Sequence, residues 1–220
     1  MWAINKEVDI IVINLSLDCF RRKRSESLLR YAVEKNIIVF AAVPPYDFQQ
    51  HRQNRGLFGE AIEIYSADGY GRPSAFNPPA KEFSENFTVL GEGIYIHKFS
   101  KEDQSVSGSS YATIIAAGIA ATVLHFASEG RESSEDTNVE RKVHTQRGMR
   151  LVFRYMNSSR DGKYANITPW KLLSSFDGPE HVYKRLRGIF DDSIGWPKAK
   201  DDNREESEYD IGDFSDSEED

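Results

Sequence analysis

The sequence predicts an α/β fold in which a parallel sheet is flanked by helices. Two continuous apolar runs rich in β-branched residues and a third, shorter run read as strands, and a helical pattern lies between the first two. Strand, helix and strand in this order, joined by short links, favour parallel pairing with helices packed on the sheet faces. With 39% hydrophobic residues among 220, the chain can bury a sizeable core.

The first strand is predicted over residues 9–17 (DIIVINLSL), an uninterrupted apolar run typical of a strand buried on both faces. A helix is predicted over 25–35 (SESLLRYAVEK). Its apolar residues recur at helical spacing, and a serine and glutamates lie at its start. The second buried strand is 37–43 (IIVFAAV), which Pro44 and Pro45 end. The third is 61–66 (AIEIYS), which runs into the turn-like ADGYGRP.

Two long helices are predicted after these strands, over 109–128 and 139–156, with a polar surface loop at 128–142 between them. The first is apolar or small on almost every face, as expected of a helix at the centre of a core. No segment is expected to reach transmembrane length, and no signal peptide is recognised at the start.

Charge is concentrated at the C-terminus. Residues 201–220 hold eleven acids and one base, a net charge of −10, so residues 1–200 carry +3 of a total of −7. We predict a disordered acidic tail over 193–220. The basic run RRKR at 21–24 is interpreted as a solvated helix face, because no aromatic interleaving supports nucleic-acid binding. A single cysteine, Cys19, fits a cytoplasmic protein. Neither nucleic acid nor membrane is expected as a partner.

Known cofactor and metal motifs are missing from the sequence. The glycines of DGYGRP do not follow the dinucleotide-binding pattern, and there is no P-loop, no H-E-x-x-H and no paired Cys/His spacing. We therefore expect no cofactor and no metal.

The stretch VSGSSYATIIAAGIAATVLHFA (106–127) places Ser109 and Ser110 at a helix start. Serines there can cap the first-turn amides, and the same amides can stabilise an oxyanion at the positive end of the helix. Composition alone favours the plain interpretation, in which Ser110 caps a core helix.

GSSYATIIAAGIAATVL resembles the segment G-T-S-x-A-[ST]-P-x-x-A-G-x-x-A that carries the nucleophile of the subtilisin-like serine peptidases, or subtilases. The match places Ser110 on the nucleophile, with Ile114 in place of the family's proline. VDIIVINLSL resembles the substrate-flanking strand, and NIIVFAAV the strand that normally ends A-A-A-G-N. The run from SADGYGRPSAF to GEGIYI resembles the segment where the family has a T-D-x-x-G-x-x-[AS]-x-F-S pattern and an A-P-G turn.

The resemblance implies a serine-type endopeptidase domain that hydrolyses peptide bonds through an acyl-enzyme on Ser110. It is strongest over residues 1–128. It implies substrate binding at Leu15, Ser16, Leu17, Ala41 and Ala42. GMRLVFRYMN, DGKYANITPWKLL and SAFNPP are similar to subtilase-like domains of intracellular fungal proteins.

The same resemblance predicts loss of activity. The family's Asp and His motifs would lie upstream of the first strand, and a serine without a base is a weak nucleophile. No histidine of the chain is followed by glycine, as the family's is. His125 is expected to be packed or to face a boundary, and His51 to be a surface residue.

Pro45 occupies the position of the asparagine that donates to the oxyanion, and proline supplies no donor. Losing one such donor costs about 10²–10³ in rate. Asp18 and Cys19 stand where the family usually has glycines that leave the specificity pocket open.

Three interpretations stay open at this point. The first is a peptidase fragment whose start is wrongly assigned or whose missing N-terminal half comes from a partner chain. The second is a non-catalytic binding module of a fungal multidomain signalling protein, and the third is a decayed gene product. The resemblance implies that residues 1–192 form an N-terminally truncated subtilase-like domain with a helical C-terminal extension at 139–190. A peptide or protein is the expected substrate if the domain is active.

Overall fold

A computed structural model describes residues 2–14, 22–45, 60–82, 84–98, 101–130, 138–159, 162–174 and 178–191. The elements follow in the order α1 (Trp2–Asn5), β1 (Ile10–Ile13), α2 (Arg22–Glu34), β2 (Ile38–Ala42), β3 (Ile62–Ala67), β4 (Phe87–Leu90), β5 (Ile94–Lys98), β6 (Lys101–Val106), α3 (Ser109–Glu129), α4 (Asn138–Val143), α5 (Gln146–Tyr155), β7 (Ala165–Asn166) and α6 (Pro179–Asp191).

Five strands form one parallel sheet in the order β1-β2-β3-β4-β7, which confirms the predicted α/β class. Strands β5 and β6 form a separate antiparallel hairpin with an irregularity near its tip. Strand β4 was not predicted from the sequence, because its four residues FTVL are too short to show a period.

Alternate residues of the strands serve two cores. Ile38 and Phe40 of β2 face the larger core, which α3 and the helices after it cover. Val39 and Ala41 face the smaller core, where they pack with Leu29 and Ala32 of α2. The period of two places one helical layer on each face of the sheet, as the sequence predicted.

Strand β1 departs from its prediction as a strand buried on both faces. It lies at the edge of the described sheet, and Val12 is 38% exposed, while Ile10, Ile11 and Ile13 are only partly buried. The described strand ends at Ile13, and residues 15–17 of the prediction lie outside the described part of the chain.

Helix α3 is longer and less enclosed than expected. Its 21 residues and its apolar composition would suffice to cross a membrane, contrary to the expectation that no segment reaches that length. It packs instead across β1 to β4, as the core helix of this fold. Only 39% of its most apolar 18 residues are buried, and Ile114 is 54% exposed, so one side of this apolar helix is uncovered.

The predicted helix 139–156 is two helices. Between them, Thr145 adopts an extended backbone, and its Oγ1 accepts a hydrogen bond of 2.9 Å from the Gly148 amide as the cap of α5. A Cβ at Gly148 would lie 1.8 Å from the carbonyl oxygen of Lys142, so this sharp break requires glycine. The loop expected at 128–142 is also shorter, because residues 128–129 belong to α3 and 138–142 to α4.

Gln146 joins α5 to the sheet as a strand residue would. Its Oε1 accepts from the Val39 amide at 2.8 Å, and its Nε2 donates to the Val39 carbonyl at 3.0 Å and the Glu60 carbonyl at 2.6 Å. Pairing of β2 with β3 begins only at Phe40, so the side chain satisfies backbone groups that the sheet leaves unpaired.

Candidate active site at the start of helix α3

The first turn of α3 lies at the carboxyl edge of the sheet, between the ends of β2 and β4. The Gly108 amide donates to the carbonyl of Gly91, which follows β4, at 2.7 Å. The hydroxyl of Ser109 donates to the carbonyl of Val43, which follows β2, at 2.6 Å. Ligands of open α/β sheets bind beyond the carboxyl ends of the strands, so Ser110 occupies the edge where chemistry is expected.

Gly91 makes this close approach possible. A Cβ at this residue would come within 2.6 Å of Ser66 Oγ, 2.8 Å of Ala112 Cβ and 2.9 Å of the Gly108 carbonyl oxygen. Any side chain there would push the start of α3 away from the sheet. Sequence reasoning did not single Gly91 out, although a glycine directly after a short apolar run is a signal for such an approach.

The two serines of the helix start have different surroundings. Ser109 is buried, and its carbonyl accepts a bond of 2.7 Å from Thr113 Oγ1. Ser110 is only partly buried, and its hydroxyl has no hydrogen bond to any described group. The predicted capping role is wrong for both, because Gly108 occupies the cap position and no side chain caps the helix. The hydroxyl of Ser110 is thus left for another partner.

None of His125, His144 and His181, the histidines whose side chains are described, lies where it could take a proton from Ser110. His125 is fifteen residues further along α3, about 22 Å away at 1.5 Å per residue, and it is exposed rather than packed. His144 Nε2 lies 3.6 Å from Asp9 Oδ1, just before β1 at the opposite edge of the sheet. His181 follows Pro179, whose carbonyl lies against Gly130 beyond the far end of α3. His51 lies outside the described residues. The described groups therefore leave Ser110 without a general base.

The end of β2 carries the other predicted site residues. Ala41 is buried toward α2, and Ala42 is partly buried. Pro45 is exposed two residues beyond Val43, the partner of Ser109. Neither its ring nor its backbone nitrogen can donate a hydrogen bond. The predicted substrate-binding residues Leu15, Ser16 and Leu17, and the nearby Asp18 and Cys19, lie outside the described residues.

A polar network that sequence reasoning missed supports the site from the end of β3. Asn77 bridges the amide and the carbonyl of Ser66 at 3.1 and 2.7 Å, and Ser74 Oγ donates to Ser66 Oγ at 2.9 Å. These residues fix Ser66 beneath Gly91. The sequence signal that could have revealed this network is the presence of serines and an asparagine directly after a strand.

The predicted turn at ADGYGRP is confirmed. Asp68 Oδ1 accepts from the amides of Tyr70 and Arg72, both at 2.9 Å, and its Oδ2 accepts from Arg72 Nε at 2.8 Å. The hydrogen bond from the Arg72 amide, followed by the other bonds from Arg72 and Tyr70, holds the pKa of the Asp68 carboxyl below its usual value. Gly71 has φ +77° and lies against Asn166. Asp68 is thus a turn residue, as its sequence context predicted.

Comparison with known proteins agrees with this geometry. No family model matches the chain. Over 152 residues the chain is 32% identical to subtilisin-like protease het-Q2 of Podospora anserina, and the alignment covers 64% of the chain and 41% of that relative. The chain thus spans less than half of the curated relative it matches.

Three solved structures are similar in fold. They are the prenylagaramide maturation protease PagA (TM-score 0.57, 15% identity, 84% of this chain and 64% of that one), the patellamide maturation protease PatA (0.56, 17%, 85% and 66%) and the PatG macrocyclase in complex with peptide (0.55, 14%, 84% and 53%). Together with the residues matched around Ser110, this fold and the similarity to het-Q2 make the chain similar to the C-terminal part of a subtilisin-like protease domain.

Proposed function

We propose that the chain is a serine-type endopeptidase domain by descent, built for peptide-bond hydrolysis through an acyl-enzyme on Ser110, and that these 220 residues alone are a pseudo-peptidase. One observation carries the proposal. Ser110 is partly exposed in the first turn of α3, at the carboxyl edge of a subtilisin-like sheet, and has no base among the described residues. The position fits a nucleophile, and its surroundings do not activate one.

Two chemical arguments support the inactive state. A serine hydroxyl attacks a carbonyl only when a base removes its proton, and the described histidines are too distant or lie at the wrong edge. Pro45 stands at the end of β2 without a donor for an oxyanion. The first-turn amides of α3 are the remaining donors, so residual stabilisation of an oxyanion would be partial.

The substrate class we propose is a peptide or protein. A similar solved structure, the PatG macrocyclase, is described in complex with peptide. We assign contacts with such a substrate to residues 15–17 and to Ala41 and Ala42, the segments that follow or end β1 and β2. A further chain that supplies the Asp and His groups would complete the site. We also propose that the protein is cytoplasmic.

Labelling with a fluorophosphonate probe tests the proposed inactivity. The folded 220-residue chain, checked by cooperative thermal unfolding, is expected to show no more labelling than Ser110→Ala. Ser105→Ala serves as the matched control, because Ser105 is an exposed serine on β6, outside the helix. Labelling that Ser110→Ala abolishes and Ser105→Ala preserves would mean that the chain activates its own serine, and the inactivity proposal would be wrong.

A second candidate is a non-catalytic binding module of a fungal multidomain signalling protein. Two observations favour it: Pro45 offers no donor at the oxyanion position, and one side of α3 presents exposed apolar residues such as Ile114. The similarity to a Podospora anserina protein supports the fungal assignment. If the chain is not labelled by the fluorophosphonate probe but binds a peptide or protein specifically and saturably, this candidate is favoured over a decayed gene product.

A further inference from the structure

The three helices α4, α5 and α6 are strongly basic. Together they hold eight lysines and arginines against three acids, a net charge of +5 with the histidines neutral. Since residues 1–200 carry +3 in total, the other residues of that range sum to −2. The excess of positive charge that precedes the acidic tail therefore lies on these three helices, which pack on the face of the sheet that α3 covers.

Two of the eight cations share a carboxylate of the sheet. Arg150 and Arg154 both contact Glu85, whose Oε2 lies 2.9 Å from Arg150 Nη1. The remaining six cations are called the basic surface below: Arg141, Lys142, Arg147, Lys184, Arg185 and Arg187. Three of them, one on each helix, have exposed side chains: Arg141, Arg147 and Lys184.

The basic surface reaches the C-terminal end of α6. The Lys142 ammonium of α4 lies over the ring of Phe190 on α6, 5.7 Å from the ring centroid. The break between α4 and α5 brings Gly148 against the carbonyl of Lys142, so Arg147 lies close by. Lys142 thus joins the cations of α4 and α5 to the last turn of α6.

The chain leaves the described fold at this same place. Helix α6 ends at Asp191, directly after Phe190, and residues 201–220, with a net charge of −10, begin ten residues later. A flexible chain of ten residues spans about 16–19 Å on average. At 1.5 Å per residue α5 and α6 are about 15 and 20 Å long. Residues 201–220 can therefore reach the whole basic surface without stretching the chain.

Tethering determines whether so weak an attraction is populated. A single exposed ion pair contributes little, and salt screens it. A short flexible linker, however, gives an effective concentration on the order of 1 mM, so a contact with a Kd of about 1 mM would form in about half of the molecules. In a solution at about 50 μM the tail of a second copy is about twentyfold more dilute than the tethered one.

We propose that residues 201–220 dock on the basic surface of their own chain, in a reversible electrostatic contact with Arg141, Arg147 and Lys184. The docked tail shields this surface from other polyanions. The proposal rests on the opposite net charges and on the place where the chain leaves α6, and it does not require any side chain to be unpaired. It is independent of the chemistry proposed for Ser110, so either proposal can fail without the other.

Paramagnetic broadening of amide signals locates the tail in the full 220-residue chain. A spin label is attached to Asp220→Cys in a Cys19→Ser background, because Cys19 is the single cysteine of the chain. At about 20 mM salt we expect the amides of Arg141 and Arg147 to lose about half of their intensity or more. The intensity should return at about 1 M salt, where the screening length is about 3 Å. Asp191 is not diagnostic, since any tail tethered beside it would broaden its signal.

A pair of double variants tests the contribution of the helices. Arg141→Glu combined with Lys184→Glu lowers the net charge of the three helices from +5 to +1, and we expect it to reduce the broadening at Arg147 by about twofold or more. Lys6→Glu combined with Lys35→Glu is the matched control. It makes the same change in total charge at two exposed lysines that follow α1 and α2, on the opposite face of the sheet, and should leave the broadening unchanged.

A neutral tail tests the contribution of residues 201–220. Replacing their remaining acids by the matching amides alters no described residue, so this variant decides the question even if a helix variant fails to fold. We expect it to leave Arg141 and Arg147 sharp at both salt concentrations. Every variant that is compared is first shown to unfold cooperatively.

Several outcomes would overturn the docking proposal. They are sharp signals for Arg141 and Arg147 in the original chain at low salt, broadening that persists at high salt, equal broadening by the neutral tail, and equal effects of the two double variants. A mixture of isotope-labelled chain and spin-labelled chain tests the tethered geometry. Broadening in this mixture as strong as that within one chain would assign the contact to a second copy.

Discussion

Tyr65 is, with Tyr183, one of the two largest side chains that the described core encloses completely, and its hydroxyl has no partner among the described groups. Its ring packs edge-on against Tyr164 at 5.5 Å between centroids, and its hydroxyl is buried with no hydrogen bond to a described group. Burial, together with the nearby Glu63 and Tyr164, raises the pKa of Tyr65 far above its usual value. The folded state therefore holds this phenol neutral.

Tyr65→Phe is expected to raise the free energy of unfolding by about 1 kcal/mol at pH 7, because it removes an unsatisfied buried hydroxyl. Above pH about 10 the unfolded chain releases the Tyr65 proton and the folded chain retains it, so the original chain loses stability as pH rises. Its deficit relative to the variant should widen there and stay constant below. Urea denaturation between pH 7 and 11 measures both effects. The exposed Tyr95→Phe should show neither, and a less stable Tyr65→Phe at pH 7 would contradict the assignment.

Single residues also show where sequence reasoning stops. The helix start at Ser109 was predictable, since a glycine and serines precede a long apolar run. The roles of the two hydroxyls were not predictable, because Val43, the partner of Ser109, lies 66 residues upstream. Capping is a local rule, and here a tertiary hydrogen bond replaces it. The role of Ser110 stays a prediction.

At the scale of elements, two helical glycines occupy opposite environments. Gly148 lies against the Lys142 carbonyl at the break between α4 and α5, and Gly118 faces open space on α3. The sequence gives both the same letter inside a helical pattern. Only their neighbours distinguish a glycine that the fold requires from one that it merely contains.

Gly148→Ala is expected to lower the free energy of unfolding by about 2 kcal/mol or more, because the Cβ would displace α5 from Lys142. Gly118→Ala should raise it by about 0.5–1 kcal/mol, through helix propensity alone. Chemical denaturation of the two variants, measured side by side, gives the signs. If both alanines shift stability in the same direction, the contacts assigned to these glycines are incorrect.

The elements that could be predicted are those whose signal is local and long. Strands β2 and β3, helix α2 and the start of α3 all have continuous patterns. The edge position of β1 could not be predicted. An apolar run indicates that a strand is suited to burial on both faces, but it does not show which neighbours the strand actually has. The break at Thr145 was also hidden, because its sharpness depends on Gly148 meeting the backbone of Lys142.

At the scale of the whole molecule, the helices after residue 130 belong to the same core as the sheet. The ring of Phe153 on α5 packs tilted against Phe40 of β2, with 5.6 Å between the ring centroids, and edge-on against Phe87 of β4 at 5.7 Å. Leu186 and Phe190 of α6 are buried in the same cluster. The predicted C-terminal extension is therefore structural, because without it one face of the sheet would expose large apolar side chains.

A chain that ends at residue 130 is accordingly expected not to unfold cooperatively, although it contains the whole region of strongest family resemblance, residues 1–128. The full 220-residue chain, prepared in parallel, should show a single thermal transition. Calorimetry with near-ultraviolet circular dichroism distinguishes the two. A cooperative transition in the shortened chain would show that the C-terminal helices are dispensable for the core.

The side-chain amide of Gln146 stabilises the fold, and it also determines when strand β2 can complete its hydrogen bonds during synthesis. Its partner Val39 lies 107 residues earlier, so β2 cannot complete its hydrogen bonds until α5 has left the ribosome. At a translation rate of about 5–20 residues per second, roughly 5–20 s separate the two. During that interval the nascent sheet has high contact order and uncovered apolar strands. We therefore expect the nascent chain to need chaperone protection for longer than a protein of its size with local pairing would.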